Sequence, residues 1–157
     1  MDTPHTTARK SLTADEALLL DNQLCFAMYS ASLAMTKAYK KILAALGITY
    51  PQYLVMLVLW ERDRVTVSDL GERLFLDSGT LTPLLKRMET TGLLHRTRDA
   101  DDERRVVISL SAEGRALREK ARGVPVQVGC MLPPLEQVAR LVEDLKGVRA
   151  GLLDVEK

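Results

Sequence analysis

The chain has 157 residues, which is long enough to bury one sizeable hydrophobic core without the help of disulfides or structural metal ions. Its formal net charge of +1 gives no overall electrostatic reason to bind nucleic acid or a membrane, and its one Trp, four Tyr and two Phe are too few for a platform that stacks single-stranded bases. Any nucleic-acid partner should therefore be duplex DNA.

The N-terminal sequence is polar and lacks the apolar region of a signal peptide. The longest strongly apolar run, YLVMLVLW at residues 53–60, is too short to cross a bilayer. We therefore expect a soluble, cytoplasmic protein without a membrane partner. Thiols are kept reduced in the cytoplasm, so Cys25 and Cys130 predict no structural disulfide, and each needs its own explanation.

Two apolar segments predict helices in the first third of the chain. Thr13 and Glu16 form a T-x-x-E capping box, and apolar residues at helical spacing follow until Gly47 stops the helix. Pro51 then opens a second helix, PQYLVMLVLWER, which is apolar nearly all round and is therefore expected to be buried.

A tight turn separates the third and fourth predicted helices. Residues 67–76 predict the third helix, and Asp77 or Ser78 caps the fourth, which a glycine ends. Pro83 lies beyond the first turn of the fourth helix and removes one backbone hydrogen bond there. We therefore expect a slight kink or a start nearer Gly79.

After the fourth helix the periodicity becomes strand-like. The runs LLHRTR and RRVVISL, joined by the charged loop DADDE, predict a β-hairpin. Ser111 then begins another helix. Residues 123–134 are rich in Gly and Pro and predict a break or a loose helical segment that carries Cys130, and a last helix follows Pro134.

This order of elements predicts a mainly α protein with a small β-hairpin wing. We expect a disordered tail at residues 1–12 and one domain at residues 13–157. Within that domain, a winged helix-turn-helix occupies about residues 50–111, and dimerisation helices occupy about residues 13–47 and 112–154.

Few residues suit catalysis or metal binding. The two histidines, His5 and His95, are far apart and have no Cys or carboxylate at the spacing of a metal site, and the glycines form no phosphate-binding loop. No Ser/His/Asp arrangement is suggested either. We predict no metal, no cofactor and no enzymatic activity.

The fourth helix has the residues of a DNA-recognition helix. Small hydroxyl side chains lie near its N-terminus, and two basic residues follow: Ser78, Thr80, Thr82, Lys86 and Arg87. Such side chains can reach base edges and phosphates in the major groove, and the free N–H groups of a helix N-terminus favour a phosphate. An ordinary solvated helix face would have a similar composition.

The hairpin is charged but not basic. Residues 96–105 carry four Arg and four carboxylates, and residues 61–105 carry nine basic and ten acidic residues, a formal charge of −1. DNA affinity would then depend on where Arg96, Arg98 and Arg104 point, and on two copies in a dimer. A solvated charged turn is the alternative.

The run DDERRVVISLS resembles the wing pattern of the MarR family, D-x-R followed by five residues and L-[ST], with Asp102, Arg104, Leu110 and Ser111 in place. The resemblance implies that Asp102 and Arg104 form an ordering pair at the wing tip and that Arg104 enters the minor groove of the DNA. It also implies a homodimer, joined through its terminal helices, that binds a pseudo-palindromic operator in double-stranded promoter DNA.

Cys25 is either a small buried hydrophobe or a reactive thiol. A phenol that donates a hydrogen bond favours the thiolate, which is the form that attacks a peroxide, and Tyr29 shares a helix face with Cys25. Tyr39 lies ~21 Å further along one continuous helix. In an antiparallel dimer, however, Tyr39 and Tyr50 of one subunit can reach Cys25 of the other.

The segment LDNQLCFAMYSASLAMTKAYKKILAALGITYPQYLVMLVLWE closely resembles OhrR, the organic-hydroperoxide-sensing branch of the MarR family. The resemblance implies that Cys25 is the peroxide-reactive cysteine and that Tyr39 and Tyr50 of the opposite subunit hold its thiolate. A second cysteine, Cys130, places the chain with the two-cysteine members, in which it would form a disulfide with the oxidised Cys25 of the other subunit. The reduced repressor would bind DNA, and an organic hydroperoxide would release it.

Two other functions fit the same residues. A MarR-type repressor could answer a small aromatic or apolar ligand at the dimer interface, with Cys25 only lining the pocket. A thiol peroxidase could turn over hydroperoxide, although the recognition helix and wing would then have no purpose. The response of a Cys25→Ser variant separates the sensing models, and sustained peroxide consumption would indicate the enzyme.

Overall fold

The computed structural model describes residues 12–155, so most of the predicted N-terminal tail, and His5 with it, lies outside the described residues. The helices are α1 Ala14–Ala17, α2 Leu24–Leu43, α3 Tyr50–Glu61, α4 Val67–Leu74, α5 Ser78–Thr90, α6 Ala112–Ala121, α7 Val124–Gly129 and α8 Leu135–Asp154. The strands are β1 Val65–Thr66, β2 Leu94–Arg98 and β3 Val106–Leu110. The chain divides into two compact units, one ending at Ala38 and the other beginning at Tyr39.

The first predicted helix is interrupted in the N-terminal unit. The capping box of Thr13 and Glu16 is present, but α1 ends at Ala17 and a 3₁₀ turn precedes α2. The side-chain amide of Asn22 donates to the backbone oxygen of Glu16 at 2.7 Å, and that of Gln23 donates to the oxygen of Ala17. These side chains take carbonyls that a continuous helix would use, so one unbroken helix to Gly47 was the wrong prediction.

The junction between α2 and α3 follows the sequence prediction. Gly47 has a positive φ of 68°, and the chain then re-enters a helix through a capping box made by Thr49 and Gln52, with Pro51 in the first turn. Burial of α3 is incomplete, because Leu57 remains 41% exposed. The predicted burial of α3 is therefore confirmed for most of the helix but not for Leu57.

The turn between α4 and α5 is tight and has an unusual backbone. Phe75 adopts a left-handed conformation with φ 56°, which is strained for a bulky side chain, and Leu76 N–H donates to the Gly71 oxygen at 3.0 Å. Asp77 caps α5 as one of the two predicted cap residues, and the helix begins at Ser78 with Pro83 in its interior, so of the two expected alternatives the start nearer Gly79 is not observed.

The predicted hairpin is present, and it belongs to a three-stranded antiparallel sheet with the order β1-β3-β2. Leu94 pairs with Leu110 at its base, and Arg98 pairs with Val106 toward its tip. The additional strand β1 has two residues, which is too short for an alternating pattern to show in the sequence. The sequence prediction of a mainly α winged helix-turn-helix is confirmed.

The winged helix has its own core, to which α3, α4, α5 and the sheet all contribute. Its buried members are Val55, Met56, Leu59, Val65, Leu70, Leu81, Leu84, Leu85, Met88, Leu94, Ile108 and Leu110. A smaller buried cluster joins the end of α2 to α3, α6 and α7 through Leu43, Ile48, Tyr53, Ala121, Val124 and Val128. The first of these cores places α5 and the hairpin on one rigid support.

Gly114 in α6 is a packing point between this helix and the winged helix. Its backbone oxygen accepts a 2.9 Å hydrogen bond from the Trp60 indole, and a Cβ at this position would collide with the backbone oxygen of Leu93. Gly114 therefore lets α6 approach the winged helix closely.

We expect Gly114→Ala to destabilise the fold by ~1–3 kcal/mol, because the added Cβ has no space beside Leu93. The measurement is the melting temperature by circular dichroism, which should fall. Gly147→Ala in α8, where a Cβ meets open space, is the matched control; equal melting temperatures for the two variants would contradict the packing argument.

The last helix, α8, carries an unusual amount of exposed apolar surface. None of its residues is buried, and its exposed large hydrophobic residues are Leu135, Leu141, Val142, Leu145, Leu152 and Leu153. An exposed apolar stripe of this length is typical of a surface that another chain covers.

Among the described residues no single helix has the length and apolarity to cross a membrane. The bent pair Leu24–Leu46 and Tyr50–Glu61 passes the same test by length and composition alone.

Candidate functional site

The N-terminus of α5 is already occupied by a carboxylate. Asp77 accepts hydrogen bonds from the backbone N–H of Thr80 at 2.8 Å and from its hydroxyl at 3.0 Å. These bonds, the backbone one foremost, lower the pKa of Asp77, so this carboxylate is ionised at neutral pH. The phosphate that the sequence analysis placed at this helix end would meet a negative charge, and the Thr80 hydroxyl is engaged in the cap.

The other predicted residues of α5 are distributed over its outer side. Ser78, Lys86 and Arg87 are exposed, whereas Thr82 is half-buried. Helix α5 therefore exposes the Ser78 hydroxyl at its start and the cations Lys86 and Arg87 one to two turns beyond Thr82. Such a face can contact phosphates and base edges of a duplex.

At the wing tip, the carboxylate of Asp102 holds the side chain of Arg104. Asp102 accepts from the backbone N–H of Arg104 at 3.1 Å, from its Nε at 3.1 Å and from Nη2 at 3.4 Å. The hydrogen bonds from Arg104, the side-chain ones foremost, lower the pKa of Asp102. The Arg104 side chain is nevertheless 90% exposed, so it is oriented by Asp102 and remains available to a partner.

Arg96 lies apart from the outward-facing cations. Its guanidinium is 3.6 Å from a carboxylate oxygen of Glu89 on α5 and only 22% of its side chain is exposed, whereas Arg98, two residues further along β2, is exposed. The sequence analysis grouped these two arginines. In the structure, Arg96 instead faces Glu89 of α5.

Asp63 fixes the base of the wing. One oxygen accepts from the backbone N–H groups of Leu110 at 2.9 Å and Arg64 at 2.8 Å, and the other accepts from Arg115 at 2.8 Å. Burial acts to raise the pKa of Asp63, but these hydrogen bonds and the Arg115 charge outweigh it and hold the pKa below its ordinary value. Asp63 thereby joins the end of α3 to β3 and α6, a role that its sequence context did not indicate.

Three tyrosines in the C-terminal unit form a cluster. The ring centroid of Tyr39 is 4.4 Å from that of Tyr50 and 5.9 Å from that of Tyr53. Burial raises the pKa of all three phenols, with the neighbouring phenols adding to the rise at Tyr39 and Tyr53. All three therefore keep their protons at neutral pH and can donate hydrogen bonds.

Tyr53 was missed as a site residue, although its position three residues after Tyr50 places both rings on one face of α3. It is 3% exposed and packs against Trp60 at a centroid distance of 6.3 Å. With Tyr39 it lines an apolar cavity of about 450 Å³, which α7, the start of α8 and Leu57 complete.

The two cysteines lie in different compact units, and both thiols are free and exposed. Cys25 is in the first turn of α2, one turn before Tyr29, which is 61% exposed. Cys130 is the C-cap of α7, just before the segment that carries Pro133 and Pro134. Exposure is what a thiol needs for reaction with a peroxide or a second thiol.

No group of three or more His, Cys, Asp or Glu residues within the described part of the chain is arranged to hold a metal ion.

Comparison with known proteins identifies the family. The family model described as transcriptional regulator SarA/Rot matches residues 37–121. The organic hydroperoxide resistance transcriptional regulator of Bacillus subtilis is 52% identical over 133 residues, which is 85% of this chain and 86% of that protein. The chain belongs to the organic-hydroperoxide-sensing branch of the MarR family.

Solved structures of the protein AbfR resemble this chain. The structure of reduced AbfR bound to DNA matches with a TM-score of 0.75 and 36% identity, over 85% of this chain and 94% of that one. The structure of disulfide-formed AbfR matches with a TM-score of 0.64 and 38% identity, over 85% of this chain and 92% of that one. AbfR is a protein of Staphylococcus epidermidis.

Proposed function

We propose that this protein is a homodimeric, redox-sensing transcriptional repressor, which binds promoter DNA when reduced and leaves it when an organic hydroperoxide oxidises Cys25. The observation that carries the proposal is the 52% identity to an organic hydroperoxide resistance regulator along 85% of the chain. The exposed thiols, the tyrosine cluster and the winged helix supply the parts that such a switch needs. The repressor acts in the cytoplasm, with the DNA, and not as an enzyme.

The dimer is needed to complete the sensor. Cys25 and Tyr39 belong to the one helix α2, and fourteen residues of helix separate their Cα atoms by ~21 Å. We therefore place the Tyr39 and Tyr50 that serve Cys25 on the second subunit, as the resemblance to OhrR implies. Their phenols stay protonated and donate hydrogen bonds to the thiolate, and Tyr29 adds a third donor from the same helix as Cys25.

Oxidation proceeds in two steps, formation of a sulfenic acid at Cys25 and then of a disulfide with Cys130. The Cys25 thiolate attacks the outer peroxide oxygen, the O–O bond breaks, and the departing alkoxide takes a proton to become an alcohol, leaving a sulfenic acid. The Cys130 thiol of the other subunit then attacks the Cys25 sulfur, water leaves, and a disulfide joins the subunits. A disulfide holds its Cα atoms within ~7 Å, so if the reduced pair lies further apart, closing it must move the terminal helices and with them the DNA-reading heads.

DNA is read by α5 and the wing of each subunit. Ser78, Thr82, Lys86 and Arg87 face the major groove beside Thr80, whose hydroxyl stays bonded to Asp77, and Arg104, oriented by Asp102, enters the minor groove. Two copies bind the half-sites of a pseudo-palindrome, which compensates for a DNA-binding module of formal charge −1.

A gel-shift titration tests this function. Reduced protein should bind a duplex from the region upstream of its own gene, and cumene hydroperoxide should release it as a dimer-sized covalent species appears on a non-reducing gel. Cys130→Ser should lose that species, which would identify Cys130 as the resolving thiol. Wild-type protein that ignores the peroxide, or that binds no DNA while reduced, would refute the proposal.

The cavity beside Tyr39 and Tyr53 favours a second candidate. An apolar space of about 450 Å³ bounded by two phenols could hold a small aromatic or apolar ligand that releases the repressor without any thiol chemistry. In that case Cys25→Ser would still be released from DNA by the ligand, and no covalent dimer would form.

A further inference from the structure

A carboxylate on the recognition helix connects α5 to the wing. Oε1 of Glu89, in the last turn of α5, accepts the backbone N–H of Arg96 at 3.0 Å, and Oε2 lies 3.6 Å from Nη1 of the same residue. Arg96 is the middle residue of β2, which is an edge strand of the sheet. One side chain of the helix therefore holds both the backbone and the side chain of the strand.

The surroundings of Arg96 argue against a direct contact with DNA. Only 22% of its side chain is exposed, and its Nε is buried without a hydrogen-bond partner among the described residues. An arginine that binds a phosphate or a base edge has an exposed side chain before binding, as Arg98 and Arg104 have here. Turning Arg96 outward would separate it from Glu89 and leave that carboxylate beside the DNA backbone.

The strands of the hairpin are paired continuously from Arg96 to the tip. Arg96 pairs with Ile108 and Arg98 pairs with Val106, and beyond them Asp99 N–H donates to the Arg105 oxygen at 2.9 Å. The paired strands are thus continuous from the Glu89 contact to the loop that carries Arg104. Three residues of strand span ~10 Å, so a small rotation at Arg96 becomes a larger displacement at the wing tip.

We propose that Glu89 and Arg96 are positioning residues, which set the angle between the recognition helix and the wing and so place Arg104 in the minor groove. Arg96 acts on DNA affinity through Arg104 and does not touch the DNA itself. Asp63 holds the other side of the wing base through β3 and α6, whereas the Glu89 contact ties β2 directly to α5. This inference rests on the proposed function, because it presupposes operator binding by α5 and the wing.

A double-mutant cycle with Arg104 tests the positioning role. We expect Arg96→Met to weaken operator binding by at least fivefold in the wild-type background and by less than twofold in an Arg104→Ala background, because the wing then carries nothing to position. Arg98→Met is the matched control, being an exposed arginine two residues along the same strand, and its effect should be the same in both backgrounds. Equal fold-changes for Arg96→Met in both backgrounds would overturn the inference.

Salt dependence supplies an independent readout. A phosphate contact contributes ~0.9 to the slope of log affinity against log salt. If Arg96 were such a contact in both subunits of the dimer, Arg96→Met would reduce the slope by ~1.8 even with Arg104 already replaced by alanine. Positioning predicts an unchanged slope in that background, and a reduced slope there would contradict it.

Glu89→Gln is expected to change operator affinity in opposite directions if Arg96 positions the wing and if Arg96 contacts DNA. The amide keeps an acceptor for the Arg96 N–H but removes the ion pair and one negative charge near the DNA. Positioning predicts weaker operator binding, whereas a DNA-contacting Arg96 restrained by Glu89 predicts tighter binding. Melting curves check that the variants fold, and Arg96→Lys replaces Arg96→Met if the latter unfolds.

The outcome also distinguishes this inference from the proposed function. Wild-type protein that binds no operator while reduced would refute the proposed function. Suppose instead that wild-type protein binds the operator and is released by peroxide, but the effects of Arg96→Met and Arg104→Ala on operator affinity are additive. That result would refute the positioning role alone.

Discussion

Cys25→Ser is expected to abolish peroxide-driven release from operator DNA, while the affinity of the reduced protein stays within about twofold of wild type. A serine hydroxyl is nearly isosteric with the thiol, but it is not ionised at neutral pH and cannot form a sulfenic acid or a disulfide. Cys25 is exposed in α2 and far in sequence from α5 and the wing, so the DNA-reading surface should be unaffected. The measurement is operator affinity by fluorescence anisotropy, with and without cumene hydroperoxide.

Cys130→Ser is the control for this experiment. It keeps the reactive thiol and should still acquire a sulfenic acid at Cys25, detectable with dimedone, but should form no covalent dimer. If Cys25→Ser were released by peroxide as readily as wild type, Cys25 would be a packing residue and the cavity beside Tyr53 would become the candidate effector site.

Arg104→Ala is expected to weaken operator binding by at least tenfold. The Arg104 side chain is 90% exposed and is held at the wing tip by Asp102, so its rotamer is already ordered before DNA arrives. Removing a preorganised contact of this kind costs ~1–3 kcal/mol per site, and a dimer has two. The measurement is operator affinity at several salt concentrations, because losing the cation should also lower the salt slope.

Two comparisons make the Arg104 result specific. Arg122→Ala is the matched control, since Arg122 is 72% exposed and pairs with Glu119 at 3.1 Å on α6, and it should leave affinity unchanged. Asp102→Asn removes a negative charge near DNA, yet it should weaken binding because the restraint on Arg104 is lost. Tighter binding by Asp102→Asn would show that repulsion by the carboxylate outweighs its ordering effect.

Sequence signals within a few residues determined most of the fold. The caps made by Asp77 and Ser111 begin helices where their side chains accept backbone N–H groups, and the hairpin lies where the periodicity changes. Such signals are reliable because each one satisfies backbone groups only two or three residues away. The same applies to Asp102 and Arg104, whose pairing needs only the wing loop itself.

Tertiary structure alone decided which side chains meet across the fold. Arg96 and Arg98 read alike in the sequence, and only the packing of β2 beside α5 turns one toward Glu89 and leaves the other exposed. Tyr53 joins Tyr39 because α2 and α3 converge, and Asp63 reaches Leu110 across 47 residues of chain. These contacts depend on sheet register and helix packing, which are set by the summed burial of the core and by no local motif.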